Sequence, residues 1–160
     1  MQRKKPKEPD ALSRIVKLCN YCERCTFDLK KRLIEEQYDP EDVHLALQKA
    51  KELNVLDDSR YARVYINSKI AAGKGINRIV SELERKEIDL QQVEGWTEEF
   101  HADDEQYELN RALDILKRKP TRAKNVYASC YRRLVSRGFS LEIARHATNI
   151  YLKIIGGRGF

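Results

Sequence analysis

No run of about 18 apolar residues occurs anywhere in this 160-residue chain, so no segment can cross a bilayer as a single helix. Behind the basic Met1 to Asp10 stretch there is no apolar segment long enough for a secretory signal, and the cytoplasm is the expected compartment. Seven glycines and four prolines are too few for collagen-like or Pro-rich architectures. Strict polar–apolar alternation bounded by hairpin dipeptides is missing, so strands are not expected. Catalytic constellations are missing too. His44, His101 and His146 stand alone, and Gly73-Lys74-Gly75 lacks the spacing of a phosphate-binding loop. The chain is therefore not expected to be an enzyme, to hold a cofactor or to hold a metal. Leu, Ile, Val, Tyr and Phe nevertheless recur throughout, which excludes wholesale disorder. The length suits one domain or a row of small repeats.

What the chain has in abundance is charge, laid out in blocks. Residues 1–25 hold seven cations and three anions, residues 26–58 five and nine, and residues 59–86 seven and two. Residues 87–108 hold nine anions and no cation, and residues 109–160 twelve cations and two anions. If folding gathers the basic blocks on one side, that side suits a polyanion or an acidic protein surface. The alternative is a set of ordinary solvated helix faces.

Apolar residues recur with helical spacing. The stripes are Leu12, Ile15, Val16, Cys19 and Cys22; Val43, Ala46, Leu47, Ala50 and Leu53; Ile76, Ile79, Val80 and Leu83; and, over Thr121 to Arg137, Ala123, Val126, Tyr127, Cys130 and Leu134. Breakers separate them at Asp39-Pro40, Gly73-Lys74-Gly75, Pro120 and Gly138.

Superposing the stripes exposes a repeat. Leu33, Leu83 and Leu134 are each followed by a large apolar residue (Tyr38, Ile88, Phe139) and then by a helix-capping type (Asp39, Asp89, Ser140). One helix ends, an apolar side chain plugs the gap, and Asp or Ser accepts free N–H groups of the next helix, worth about 1 kcal/mol. Further helices are expected to begin near residues 10, 57 and 103, where acidic residues complement the positive helix end. Gly138 marks a left-handed helix-ending position, so its repeat mate Glu87 is expected to be strained there. The fold expected is all-α, an elongated tandem array of three three-helix repeats. The repeats span 10–56, 57–102 and 103–155, between a basic tail (1–9) and a Gly-rich tail (156–160).

Leu56-Asp57-Asp58-Ser59-Arg60-Tyr61-Ala62, then Gly73-Lys74-Gly75-Ile76-Asn77-Arg78-Ile79 and Glu82-Leu83 through Ile88-Asp89, resemble the RecX family of bacterial regulators of the RecA recombinase. The resemblance runs over about residues 10–152 and is densest at 56–89. It implies an elongated three-repeat helical protein that inserts into the RecA–DNA filament groove and inhibits ATP hydrolysis and strand exchange. It implies a RecA filament as partner, with single- or double-stranded DNA inside it; no membrane partner is expected, and the chain is expected to be a monomer. Two departures are present. Gln37 and Glu87 replace the usual Gly before the plug, and the cysteine cluster is not a general family feature. A direct nucleic-acid-binding helical module is the alternative.

Two basic clusters are candidate contact surfaces. Arg60, Arg63 and Asn67 share one helix face, with Tyr61, Ala62, Tyr65 and Ile66 on the packing side. Gly73 ends that helix in the left-handed region, Gly75 gives freedom to turn, and Lys74 sits at the corner. Arg78 and Arg85 share a face of the next helix. Arg60, Arg63, Lys74, Arg78 and Arg85 are thus the candidate partner-binding residues, against the reading of a plain helix–helix turn. As exposed side chains, Arg60, Arg63, Lys74 and Arg78 are expected to be removable without harm to the fold. The second cluster comprises Lys117, Arg118, Lys119, Arg122, Lys124, Arg132, Arg133 and Arg137. Lys119, Arg122, Arg133 and Arg137 are the candidate nucleic-acid contacts, with Arg122, Ser129 and Arg133 expected on one helix line. Tyr127, Tyr131 and Tyr151 are expected in the core or half-buried, not as stacking platforms.

Cys19-x-x-Cys22-x-x-Cys25 supports three readings. The thiols are small hydrophobes, part of a metal site completed by His44 or Cys130, or a redox sensor. Thiols at i, i+3 and i+6 of one helix converge poorly on a tetrahedral metal, and a reducing cytoplasm disfavours lasting disulfides.

Overall fold

The computed structural model describes residues 9–157. Among them the elements are all helical: α1 (Ala11–Cys19), α2 (Thr26–Glu35), α3 (Pro40–Glu52), α4 (Asp58–Ala71), α5 (Ile76–Glu84), a 3₁₀ turn (Leu90–Gln92), α6 (Trp96–Glu99), α7 (Glu105–Arg118), α8 (Val126–Arg137) and α9 (Leu141–Gly156). Most of the expected N-terminal tail and the end of the C-terminal tail lie outside the described residues.

The chain divides into two compact units. The first runs to Val64 and includes Lys86–Ile88; the second holds Tyr65–Arg85 and the chain from Asp89 onward.

In the first unit, α1 and α2 pack on α3. Ile15, Leu29, Leu33, Val43, Ala50 and Leu56 form its centre. The buried face of α1 is Ala11, Ile15 and Leu18, with Leu12 and Cys19 at its margin. That corrects the expected stripe, because α1 stops at Cys19 and Cys22 is exposed in the turn beyond it. Leu53, expected on the α3 stripe, is exposed at the helix end.

In the second unit, α7 and α8 both pack on α9. Leu109, Ala112, Leu116, Cys130, Leu134, Phe139, Ala144, Ala147 and Tyr151 fill this core. Helix α8 begins at Val126, with Asn125 accepting the Ala128 N–H, and not near Thr121 as the stripe suggested. Ala123 is exposed, since residues 119–125, Pro120 among them, lie outside any helix.

The repeated turn is built as the sequence pattern dictates. Leu33, Leu83 and Leu134 are fully buried, and Tyr38, Ile88 and Phe139 are buried. Asp39 accepts the Glu41 N–H, Asp89 the Gln91 N–H and Ser140 the Ile143 N–H. Gln37, Glu87 and Gly138 all have positive φ, at 65°, 58° and 92°. At two of these turns the paired C-terminal hydrogen bonds are present: Tyr38 N–H to Leu33 O with Gln37 N–H to Ile34 O, and Phe139 N–H to Leu134 O with Gly138 N–H to Val135 O. Asp10, Asp57 and Asp104 cap the N-termini of α1, α4 and α7.

Candidate functional site

In the second unit the Gly73-Lys74-Gly75 corner is a helix end pinned by arginines. Gly73 lies at φ 73°, as expected, and its N–H bonds to Ile70 O. Gly75 has an ordinary extended φ of −76°, so freedom to turn is not its role. A Cβ there would lie 2.3 Å from the Gly138 carbonyl carbon. The position is glycine because two backbones meet, and the Gly75 N–H donates to Arg137 O at 2.8 Å.

The carbonyls that close α4 are taken by guanidinium groups. Arg111 donates to Lys74 O at 2.5 Å and to Ile70 O at 3.3 Å. Arg137 donates to Ala72 O and Gly73 O, each at 3.3 Å. Cations at a helix C-terminus complement its negative end. The buried Glu108 pairs with Arg111, and its other oxygen faces the first N–H of α5, from Ile76, at 3.4 Å. Arg111 also lies against the rings of Tyr107 and Phe139. In the sequence Glu108 and Arg111 stand out only as an i, i+3 charge pair beside the buried face of α7.

The expected contact residues divide accordingly. Arg78 is engaged: Nε bonds to Glu82 at 2.8 Å and Nη1 to Ser136 O at 2.9 Å. Hydrogen bonds, from Arg78 first and then from Tyr65, hold the Glu82 carboxyl below its usual range. Arg137, expected with the nucleic-acid cluster, has its guanidinium at this corner. Lys74 is half-buried, while Arg85 caps the end of α5 and is exposed. In the first unit, Arg60 is engaged as well. Its Nε meets Glu23 at 2.6 Å, and its guanidinium also reaches the carbonyls of Asn54 and Val55. Arg63 is half-buried on α4.

The second cluster is arranged differently from the expected helix line, since Arg122 precedes α8. The segment from Lys119 to Asn125 folds back on α8. Arg133 donates to Lys119 O, and the Thr121 and Ser129 hydroxyls bond at 2.9 Å. Lys117, Arg118, Lys119, Arg122, Lys124 and Arg132 are exposed. Among the described residues no carboxylate forms an ion pair with any of them. Such a patch is an uncompensated positive surface, suited to phosphates. Tyr151 is buried and Tyr131 half-buried, as expected. Tyr127 is 38% exposed and stacks on Tyr131 at 6.0 Å.

The cysteines are graded in exposure. Cys22 is exposed, Cys19 half-buried, and Cys25 and Cys130 buried. Cys25 occupies the N-cap position of α2. Among the described residues no group of three or more His, Cys, Asp or Glu side chains is placed to hold a metal.

Residues 57–94 match the family model described as "RecX, second three-helix domain". The "Regulatory protein RecX" of Vibrio vulnificus (strain CMCP6) is 32% identical over 123 residues, covering 76% of this chain and 79% of that protein. The protein of the same name from Finegoldia magna is 27% identical over 139 residues, covering 82% and 67%. The crystal structure of RecX from Lactobacillus salivarius superposes with a TM-score of 0.70 at 16% identity, over 88% of this chain and 94% of that one. A second RecX crystal structure gives 0.67 at 22% identity, over 87% and 70%. The fold is thus that of the RecX structures, and with the sequence kinship over three-quarters of its length, this chain belongs to the RecX family.

Proposed function

We propose that this chain is a non-enzymatic, cytoplasmic regulator that binds the RecA–DNA filament as a monomer and lowers its ATPase and strand-exchange activities. The observation that carries this reading is the kinship with proteins named as RecX regulators, 32% identical over 123 residues. A family model for a second three-helix domain at residues 57–94 supports three tandem repeats, 10–56, 57–102 and 103–155. Partner contact falls to Arg60, Arg63, Lys74, Arg78 and Arg85, and phosphate contact to Lys119, Arg122, Arg133 and Arg137. Lys74, Arg85, Lys119 and Arg122 are first to test, since no carboxylate neutralises them among the described residues. The experiment is capture of RecA by the immobilised chain, with and without single-stranded DNA and a non-hydrolysable nucleotide, beside a strand-exchange assay. Retention of assembled filaments with loss of strand exchange is expected. Equal retention of free RecA, or unchanged strand exchange at saturation, overturns the reading.

The uncompensated cations between Lys117 and Arg132 favour a second reading, a module that binds nucleic acid directly. Binding to naked DNA with a steep salt dependence would mark it. Each phosphate contact removed should lower the slope by about one.

A further inference from the structure

We propose that Cys19 and Cys22 are an oxidative modification site, a dithiol that closes reversibly to a disulfide when the chain meets a hydroperoxide. The backbone at the end of α1 supplies the geometry. Asn20 keeps helical angles (φ −65°, ψ −22°), its N–H bonds to Val16 O at 3.0 Å, and the Tyr21 N–H bonds to Leu18 O at 3.4 Å. Cys19 closes α1 and Cys22 follows three residues later across this turn, near enough for the two thiols to feel each other's charge; one regular helical turn spans about 5 Å between Cα atoms. A disulfide needs roughly 4.4–6.8 Å.

Exposure assigns the roles. Cys22 is in water, and its neighbour Tyr21 is 78% exposed and does not cover it. Cys19 is half-buried and shielded from direct attack. Burial, then the Glu23 carboxylate, pushes its thiol up, while the Arg24 and Arg60 guanidinium charges act in the opposite sense. Cys25 and Cys130 are buried, and burial pushes the Cys25 thiol up to about 11, so both stay inert.

The chemistry balances in two steps. The Cys22 thiolate attacks one peroxide oxygen; the S–O bond forms, the O–O bond breaks, and the leaving hydroxide or alkoxide takes a proton. The sulfur is oxidised by two electrons and the peroxide reduced. The Cys19 sulfur then attacks the Cys22 sulfenic sulfur, forming S–S and breaking S–O, and its proton leaves with the hydroxide as water. A small dithiol or a cellular thiol reverses the reaction by exchange, so the bond is transient in a reducing compartment. Closure acts on the segment carrying Glu23, which holds Arg60 Nε at 2.6 Å at the start of α4.

The full reduced chain is treated with stoichiometric hydrogen peroxide, alkylated with N-ethylmaleimide and digested with trypsin. Cleavage after Lys17 and Arg24 isolates Leu18–Arg24, which holds Cys19 and Cys22 but not Cys25. That peptide should lose both adducts, weigh two hydrogens less than the dithiol, and regain both adducts after dithiothreitol. Cys25→Ser and Cys130→Ser should leave the result unchanged, and Cys19→Ser should leave Cys22 as a sulfenic acid. Retention of both adducts overturns the proposal. So does a Cys22 sulfinic acid or an intermolecular disulfide beside an alkylated Cys19. Circular dichroism before and after oxidation establishes that the folded chain was sampled.

Discussion

Gly75 and Gly138 meet backbone to backbone: a Cβ on Gly75 would stand 2.3 Å from the carbonyl carbon of Gly138. The contact joins the start of α5 to the end of α8, and the Gly75 N–H to Arg137 O bond of 2.8 Å seals it. Gly138 is doubly constrained, since its φ is 92° and its own Cβ would lie 2.1 Å from Arg78 Cβ.

Alanine at these positions should be costly for different reasons. Gly75→Ala is expected to cost about 1–3 kcal/mol by overpacking. Gly138→Ala should cost about 2–4 kcal/mol, because left-handed strain adds to the clash. Gly95, at φ 68° with no atom within 4 Å of a Cβ, isolates the strain alone and should cost about 1 kcal/mol. Urea unfolding of the three variants gives the order. Equal losses at Gly75 and Gly95 would contradict the close approach.

Glu87 and Gln37 hold left-handed conformations without glycine's freedom, at φ 58° and 65°. Glu87→Gly and Gln37→Gly should each stabilise by about 0.5–1 kcal/mol, the relieved strain outweighing the added freedom of the unfolded chain. Asn54, at φ 55°, is a residue type that tolerates this region, so Asn54→Gly should gain less. Melting temperatures decide. A lower midpoint for Glu87→Gly would show that its side chain contributes more than its backbone strain costs.

Charge reversal at the arginines should separate anchors from surface. Arg78 and Arg60 bond to main-chain carbonyls and carboxylates within their own units. Arg78→Glu and Arg60→Glu are expected to lose about 1–3 kcal/mol each. Lys74→Glu and Arg85→Glu should stay within about 0.5 kcal/mol. Against the expectation that Arg60, Arg63, Lys74 and Arg78 can all be reversed without harm to the fold stand the internal hydrogen bonds of Arg60 and Arg78. Thermal unfolding of the single variants checks the split.

Glu36 links stability to pH. Its carboxyl accepts two hydrogen bonds from Arg14 (2.7 and 2.9 Å) and one from Arg32, and the Arg14 guanidinium foremost lowers it from 4.5 to about 2. A group depressed on folding stabilises above its unfolded value and ceases to do so as pH falls through its folded one. Glu36→Gln should therefore cost about 1 kcal/mol at pH 7, and wild type and variant should converge between pH 4.5 and 2. Denaturation midpoints at pH 7, 4 and 2.5 test this. A difference that persists undiminished at pH 2.5 would assign the loss to packing.

The sequence by itself determined the helical class, the breakers and the repeated turn of this protein. Each rests on local physics. Leu33, Leu83 and Leu134 follow helical periodicity, Asp39, Asp89 and Ser140 cap through N–H groups two or three residues away, and Gly138 revealed the backbone state of Glu87 through the repeat. The start of α8 is not legible in the sequence because Ala123 continues the periodicity of Val126 and Cys130, while residues 119–125 stay outside any helix. The stripe of α1 ran too far because cysteine counts as apolar whether or not it is covered.

Only the tertiary structure decided what the charges do. Arg78 meets Ser136 across 58 residues, Arg137 meets Gly73 across 64, and Arg111 meets Lys74 across 37. A guanidinium on a solvated face and one capping a distant carbonyl have the same spacing in sequence, and only the approach of the carbonyl distinguishes them. Gly75 shows the same limit. Its need for glycine is absent from its own φ and arises from the backbone of Gly138, which the fold brings within contact.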